Sequence, residues 1–337
     1  MVKKMTDQEM NPGKLLEISG SYWRTCTLHA GVKLDVFTAM GDEPKSAAAV
    51  AEKLSADKRA LAMLLNALTA MGLLEKKGGA YANTPASAAF LSKQSPRYIG
   101  FIIMHHYHLV ESWFQLDKAV LTGRPVRTRA SFSDAEWREA FLMGMFNMAM
   151  SVAPGIVKTI DLSGRRHLLD LGGGPGTYSI HYCQANPGLK ATVYDLSTTR
   201  PFAEKTIAKF SLTDRIEFMD GDYVTEERFK GSYDVAWLSH ILHGEGPQTC
   251  RQIVNKAAAA LEPGGMLIVH EFILNNEMDG PLFPALFSLN MLLGTDDGQA
   301  YPEKEIMDML AGAGLKEIKR IPFDSPNDSG LISGIVP

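Results

Sequence analysis

Apolar residues recur at helical spacing through the first half of the chain and gather into short strand-like runs in the second. From Ser46 to Asn83 the pattern predicts a short helix, a turn at Ser55-Ala56, and a second helix with Leu61, Leu64, Leu65 and Leu68 on one face. Gly72 ends that helix, and Leu73-Leu74-Glu75, Gly78-Gly79 and Tyr81-Ala82-Asn83 predict a small hairpin. Helix-turn-helix plus hairpin is a winged-helix pattern. A groove-reading helix needs several cationic and amide side chains on its exposed face, whereas this one offers Lys58 and Arg59 at its start and only Asn66 and Thr69 beyond. A packing or dimerisation role is expected instead. Ahead of it, residues 15–40 predict helices that place Trp23, Leu28, Val32 and Val36 on more apolar surface than a small domain easily buries, which argues for a dimer.

Residues 96–160 read as helical and are rich in Met and aromatic side chains, among them Phe101, Met104, Trp113, Phe114, Phe141, Met145, Phe146 and Met150. Most belong to an ordinary core. Thioethers and flat rings also make good walls for a planar apolar ligand, so a minority are expected to line a pocket. Beyond Ser163 the period changes to alternating strand and helix. Strands are predicted at 166–171, 191–196, 216–219, 233–239 and 266–274 and around 316–321 and 331–336, with helices at 177–184, 199–211, 248–261 and 302–313 between them. Such alternation predicts a doubly wound, mostly parallel α/β sheet, which binds ligands outside the carboxyl ends of its strands.

Composition narrows the function classes. A chain of 337 residues with 45% apolar content can bury two cores, and disorder as the main state is excluded. A net charge of −4 leaves no electrostatic footprint for non-specific nucleic-acid binding. Arg124, Arg127 and Arg129 read as a solvated loop. Cys26, Cys183 and Cys250 are too few and too scattered for a disulfide framework or a zinc site. The polar start Met1 to Lys14 lacks the apolar core of a signal peptide, and no apolar run reaches the ~18 residues that span a bilayer, so a cytoplasmic protein without membrane partners is expected.

The candidate chemistry begins at Asp170-Leu171-Gly172-Gly173-Gly174-Pro175-Gly176, between the first predicted strand of the sheet and the next helix. Glycines crowded into such a turn let backbone approach a ligand closely. The dinucleotide fingerprint requires a sixth-position glycine where this chain has Thr177. An acidic residue followed by x-Gly-x-Gly-x-Gly is met in full by Asp170, Gly172, Gly174 and Gly176. Asp195 ends the second strand, where a carboxylate can accept ribose hydroxyls of an adenosine-containing ligand; the bland alternative is a helix cap. Asp222 follows the third strand and can accept an adenine amine, with Tyr223 as the apolar neighbour of the ring. The fourth strand runs into His240 and His243. Two histidines three residues apart suggest a metal, but no carboxylate or cysteine lies at a compelling spacing to complete a site. A single histidine acting as general base is the simpler reading.

These motifs together resemble the class I S-adenosylmethionine-dependent small-molecule O-methyltransferases of the caffeic acid, hydroxyneurosporene and acetylserotonin type, in their bacterial branch. The likeness runs nearly the whole chain. It implies a Rossmann-like methyltransferase sheet, a winged-helix dimerisation domain at 1–110 and a catalytic domain at 111–337, with 111–160 as a helical connector to the acceptor pocket. It further implies S-adenosylmethionine as cofactor without a metal, held by Asp170, Gly172, Gly174, Asp195, Asp222, Tyr223 and Ser239. His243 would be the catalytic base and Glu271 its orienting carboxylate, with Phe141, Met145 and Met291 against the acceptor, in a homodimer. The chain departs from the plant members in two places. Gly244-Glu245 stands where they have Asp-Trp, and Ala300 falls where they carry a second carboxylate. The implied reaction is methyl transfer to a hydroxyl of a small aromatic acceptor. Transfer to nitrogen or carbon on the same scaffold, or a non-catalytic winged-helix regulator, are the alternatives.

Overall fold

The computed structural model describes residues 10–129, 134–325 and 327–337. The chain divides into two compact units, Met1–Tyr107 and His108–Pro337. The first unit begins with helices α1 (Pro12–Gly20), α2 (Tyr22–Lys33) and α3 (Val36–Met40). The short strand β1 (Lys45–Ser46), helices α4 (Ala47–Leu54) and α5 (Lys58–Ala70), strands β2 (Leu74–Lys77) and β3 (Ala80–Asn83), and helix α6 (Pro85–Phe90) follow.

Local signals fix these boundaries. Ser46 caps α4 and Asp57 caps α5 by accepting from Ala49 N–H and Ala60 N–H, so each helix starts where an oxygen can take an orphan donor. Leu61, Leu65 and Leu68 are buried at the predicted spacing, and the hairpin β2–β3 pairs with β1 in the order β1-β3-β2. The polar side chains on α5 are used within the unit. Asn66 Oδ1 accepts from Lys76 Nζ and the Tyr81 hydroxyl, and Thr69 donates to the Leu65 carbonyl. By contrast α1 buries no residue, and Leu15, Leu16, Ile18 and Trp23 stand exposed, Trp23 by 68%.

Helix α7 (Gly100–Trp113) runs from the first unit into the second, which continues with α8 (Leu116–Thr122) and α9 (Ala135–Thr159). The alternating part consists of β4 (His167–Leu171), α10 (Thr177–Ala185), β5 (Lys190–Asp195), α11 (Arg200–Lys209), β6 (Ile216–Asp220) and β7 (Tyr233–Ser239). It continues through α12 (Pro247–Ala259), β8 (Leu261–Leu274), α13 (Leu282–Gly294), β9 (Tyr301–Pro302), α14 (Glu303–Gly312), β10 (Lys316–Ile321) and β11 (Ser329–Ile335). The strand order is β10-β11-β8-β7-β4-β5-β6, with β9 paired to the end of β8. The five strands from β6 to β8 are parallel, and β11 is antiparallel to both neighbours.

Side chains alternate between two apolar cores, one on each face of the sheet. Leu169, Ala236 and Leu238 enter one with Val254 of α12 and Leu310 of α14. Leu168, Val235 and Trp237 enter the other with Ile156 of α9 and Ile180 of α10. Strand β4 lies between β5 and β7, so the chain leaves it in opposite directions and opens a crevice at its carboxyl end.

Two expectations fail here. Helix α9, 25 residues long, is long and apolar enough by length and composition to cross a membrane, contrary to the reading that no run reached that length. Ala153 and Ile156 on α9 belong to the core against α10, and its Met residues at 143, 145, 148 and 150 are half-buried, so the helix is apolar on several sides at once. No element was predicted for residues 282–294, which form α13; its nearly uniform apolarity gives no amphipathic period to read.

Candidate active site

The glycine turn after β4 adopts left-handed backbone at Gly172, Gly174 and Gly176. A Cβ on Gly172 would come within 2.5 Å of Ile241, and one on Gly176 within 3.2 Å of Val193, so both positions are closed by packing. At Gly174 nothing lies within 4 Å of that point, which leaves this part of the turn open to a ligand. Beneath the turn, Asp170 is buried. Its Oδ2 accepts from the Ser179 hydroxyl at 2.7 Å and from Ser179 N–H at 3.3 Å, while Oδ1 has no partner. Burial pushes the Asp170 carboxyl up to about 6, against the pull of the Ser179 hydrogen bonds. A buried acceptor with a free oxygen at a glycine cradle suits an ammonium group.

Asp195 serves the turn first. Its Oδ2 accepts from Gly174 N–H at 2.8 Å, and its Oδ1 from Leu196 N–H at 2.7 Å and from the Thr199 hydroxyl at 3.0 Å. A carboxylate has about four lone-pair directions, so three protein donors leave about one for a ribose hydroxyl rather than two. The helix-cap and ligand readings of this residue are therefore not exclusive. Asp222 Oδ1 accepts from Val224 N–H at 2.8 Å, closing a tight loop. Lys256, on α12, holds that loop by donating to the carbonyls of Tyr223, Val224 and Glu226. Tyr223 is held neutral, its phenol pushed up by burial and by the Glu245 and Asp195 carboxylates. Ser239, at the end of β7, has its hydroxyl 2.9 Å from His270 Nδ1.

Beyond β7, His240 takes left-handed backbone (φ 55°) and donates its N–H to the His270 carbonyl at 2.8 Å. That conformation costs a non-glycine residue roughly 1 kcal/mol or more. It turns the chain so that a single 3-10 turn, Leu242–Gly244, folds back over β8. There Glu271, 1% exposed, receives four donors. Its Oε1 accepts from Leu242 N–H at 2.9 Å and His243 N–H at 3.2 Å, and its Oε2 meets His243 Nδ1 at 2.8 Å and Phe272 N–H at 3.2 Å. Burial alone would raise the Glu271 carboxyl, but the nearby His243 and His240 imidazoles and the His243 hydrogen bond outweigh it and hold it well below the usual carboxylate range. An ionised carboxylate on Nδ1 makes that nitrogen the donor and leaves Nε2 as an acceptor.

Glu271 also changes the metal argument. His240, His243 and Glu271 bring ligand-type atoms within 4.8 Å of one another, so a carboxylate does stand beside the two histidines. Spacing could not show it, because Glu271 arrives from the neighbouring strand, 28 residues downstream. The four donors on its oxygens suit a group that orients an imidazole.

On the acceptor side, the His243 ring meets Phe287 of α13 edge to face at 4.7 Å. Met291, one turn on, is buried, and Phe141 and Met145 share one face of α9 and are half-buried. Ala300 is buried, with its N–H given to the Ser288 hydroxyl. Of the three arginines read as a solvated loop, Arg124 is exposed but Arg127 and Arg129 turn inward. Arg129 pairs with buried Glu245 at 2.6 Å and donates to the Gly244 carbonyl. Arg127 donates to Asn290 of α13. Burial lowers Arg127, whereas Glu245 overcomes desolvation to raise Arg129. Lys256, Phe287, Arg127 and Arg129, which were not singled out for the candidate site, reach their partners there across the fold, so no local motif marks them. Ser179 and Thr199, also not singled out, give their hydroxyls to Asp170 and Asp195 from nearby in sequence.

Residues 116–316 match the O-methyltransferase domain model and residues 16–93 the O-methyltransferase dimerisation domain. The chain is 32% identical over 330 residues to a 3-hydroxy-5-methyl-1-naphthoate 3-O-methyltransferase of Streptomyces sahachiroi, covering 96% of this chain and 95% of that protein. It is 29% identical over 321 residues to an L-tyrosine C(3)-methyltransferase of Streptomyces lavendulae, covering 90% and 87%. The structure of PigF with SAH, from a Serratia protein, superposes with a TM-score of 0.88 at 27% identity, covering 97% of this chain and all of that one. With a free acidic oxygen under an open glycine turn, and a histidine held by a buried glutamate beside it, the chain belongs to the O-methyltransferase family and uses S-adenosylmethionine.

Proposed function

We propose that the protein methylates a hydroxyl of a small aromatic acceptor, with His243 as general base. The observation that carries this reading is the 2.8 Å contact between His243 Nδ1 and buried, ionised Glu271. When bound, S-adenosylmethionine supplies an electrophilic sulfonium methyl. Asp170, the Gly172–Gly174 backbone and Asp195 would hold it, with Asp222, Tyr223 and Ser239 toward its adenosine. The protein's own task is to place the acceptor oxygen and take its proton. A phenol with pKa ~10 is protonated at neutral pH and a weak nucleophile, so removing that proton matters. His243 Nε2 accepts it, and Glu271 stabilises the resulting imidazolium. Phe287, Phe141, Met145 and Met291 supply flat and thioether surfaces for the ring. The 3-hydroxynaphthoate named for one relative is an acceptor of this class.

Base catalysis of this kind is worth about 10²- to 10⁴-fold. His243→Ala is expected to retain S-adenosylhomocysteine binding by calorimetry and lose at least about a hundredfold in turnover. Unchanged turnover would sink the base assignment. Mass spectrometry of the product after labelled methyl transfer tests the alternative favoured by the tyrosine C-methyltransferase relative. A label on carbon or nitrogen would replace the hydroxyl reading.

The exposed apolar face of α1 and α2, within the matched dimerisation domain, supports a homodimer. Light scattering at micromolar concentration is expected to give twice the chain mass, and a monomer would refute it.

A further inference from the structure

We propose that Arg127 binds a carboxylate on the acceptor, so that the preferred acceptors are hydroxylated aromatic acids; this rests on the aromatic-acceptor reading above. The contrast with Arg129 motivates it. Arg129 is neutralised by Glu245, whereas Arg127 has no carboxylate within ion-pair distance among the described residues. Its guanidinium is nonetheless fixed in place. Val126 and Arg127 N–H both bond the Leu293 carbonyl, at 3.0 and 3.2 Å. Nη2 donates to the Asn290 carbonyl and Oδ1 at 3.2 and 3.3 Å, and Nη1 only weakly to the Thr128 carbonyl at 3.4 Å. A Cβ on Gly294 would come within 2.5 Å of the guanidinium carbon, so glycine there leaves room for the head group. The Nε atom is buried without a partner.

A half-buried, unpaired cation with a spare donor is costly unless a ligand completes it. Arg127 also lines a cavity of about 360 Å³ together with His108 and Trp137, whose rings stack at 4.6 Å and 7° into a flat wall. The acidic residues at this cavity, Glu111 and Asp134, are both exposed, and Asp134 is already used to cap α9. A planar fork of donors matches a carboxylate in two-point geometry.

Helix α13 sets the spacing. Phe287, Asn290, Met291 and Gly294 stand at i, i+3, i+4 and i+7 and so share a face. Phe287 touches the base, and Asn290 and Gly294 touch Arg127. At 1.5 Å rise per residue, the two ends lie about 5 to 10 Å apart along the helix. One or two fused aromatic rings bridge that span between a reacting hydroxyl and a carboxylate.

The test is steady-state kinetics on a panel of hydroxybenzoates and hydroxynaphthoates, each paired with the phenol or naphthol lacking the carboxylate. Wild type, Arg127→Met and Arg127→Lys are compared after each is shown to bind S-adenosylhomocysteine. The wild type is expected to prefer the acids by about tenfold or more in kcat/KM, mainly through KM; Met should abolish that preference and Lys keep part of it. Equal use of acid and neutral acceptor by the wild type, or a preference that survives Arg127→Met, overturns the inference while leaving hydroxyl methylation intact. If no acceptor is methylated, calorimetric binding of the hydroxynaphthoates decides. Arg127-dependent binding keeps the anion site and defeats the aromatic-acceptor reading, and no binding by the wild type overturns the inference.

Discussion

The cofactor end and the acceptor end of the catalytic unit are built in opposite ways. At the cofactor end the carboxylates take most of their partners from close in sequence: Asp170 from Ser179, Asp195 from Leu196 and Thr199, and Asp222 from Val224. Carboxylates brace short turns and keep one oxygen or lone pair to offer. At the acceptor end the partners are distant, as in Arg129 with Glu245, Arg127 with Asn290, and His243 with Glu271. Helices and strands must pack before any of these contacts exists. The cofactor half is therefore readable as motif, while the acceptor half is a product of tertiary packing.

The largest effect expected of this difference lies at Glu271. With Glu271→Gln, the amide oxygen still suits the Leu242 and His243 N–H groups, which turns the amide NH₂ toward His243 Nδ1. The imidazole then carries its proton on Nε2 and cannot accept another. Turnover should fall about 10²- to 10⁴-fold, with S-adenosylhomocysteine affinity within a few fold of wild type. Raising the pH toward the phenol pKa of ~10 should restore part of the loss, because the acceptor then ionises without help. A pH–rate profile parallel to that of the wild type would show that Glu271 does not act through His243.

A smaller effect of different kind is expected at Asp170, where binding and stability oppose each other. Its folded pKa of about 6 lies above the ordinary 3.8, so the protonated form is favoured by folding. Its contribution to stability is therefore fully present below pH ~4 and is lost as the pH rises through about 6. Asp170→Asn removes that loss. At pH 7 and without ligand the variant should be more stable by about 3 kcal/mol, one pKa unit being worth ~1.4 kcal/mol, and its stability should vary less between pH 4 and 6. S-adenosylhomocysteine affinity should drop by about tenfold, since the free oxygen no longer bears charge. Denaturant titrations across that pH range check the first outcome and calorimetry the second. A variant that is less stable at pH 7 would mean that the Ser179 hydrogen bonds, and not burial, dominate this carboxylate.

Legibility followed the range of the interactions. The winged helix, the parallel strands and the glycine turn were readable because periodicity, caps and turn residues act over a few positions, and the predicted bounds of β7 and β10 coincide with the observed ones. Uniformly apolar α13 carried no period, and α9 was underestimated because its apolar residues face several surroundings at once. The arginines read as solvated from composition, yet two of the three turn inward once Glu245 and Asn290 come within reach.

The sequence by itself determined the alternation of strand and helix, the glycine cradle and the presence of a histidine after the fourth strand of the main sheet, because each is written in residues adjacent along the chain. Only the tertiary structure decided that Glu271 stands behind that histidine, that Asp195 spends most of its oxygen lone pairs on the protein, and that Arg127 is left without a carboxylate. Those outcomes depend on which strands become neighbours and on which charges are drawn out of water together, and no local pattern encodes either.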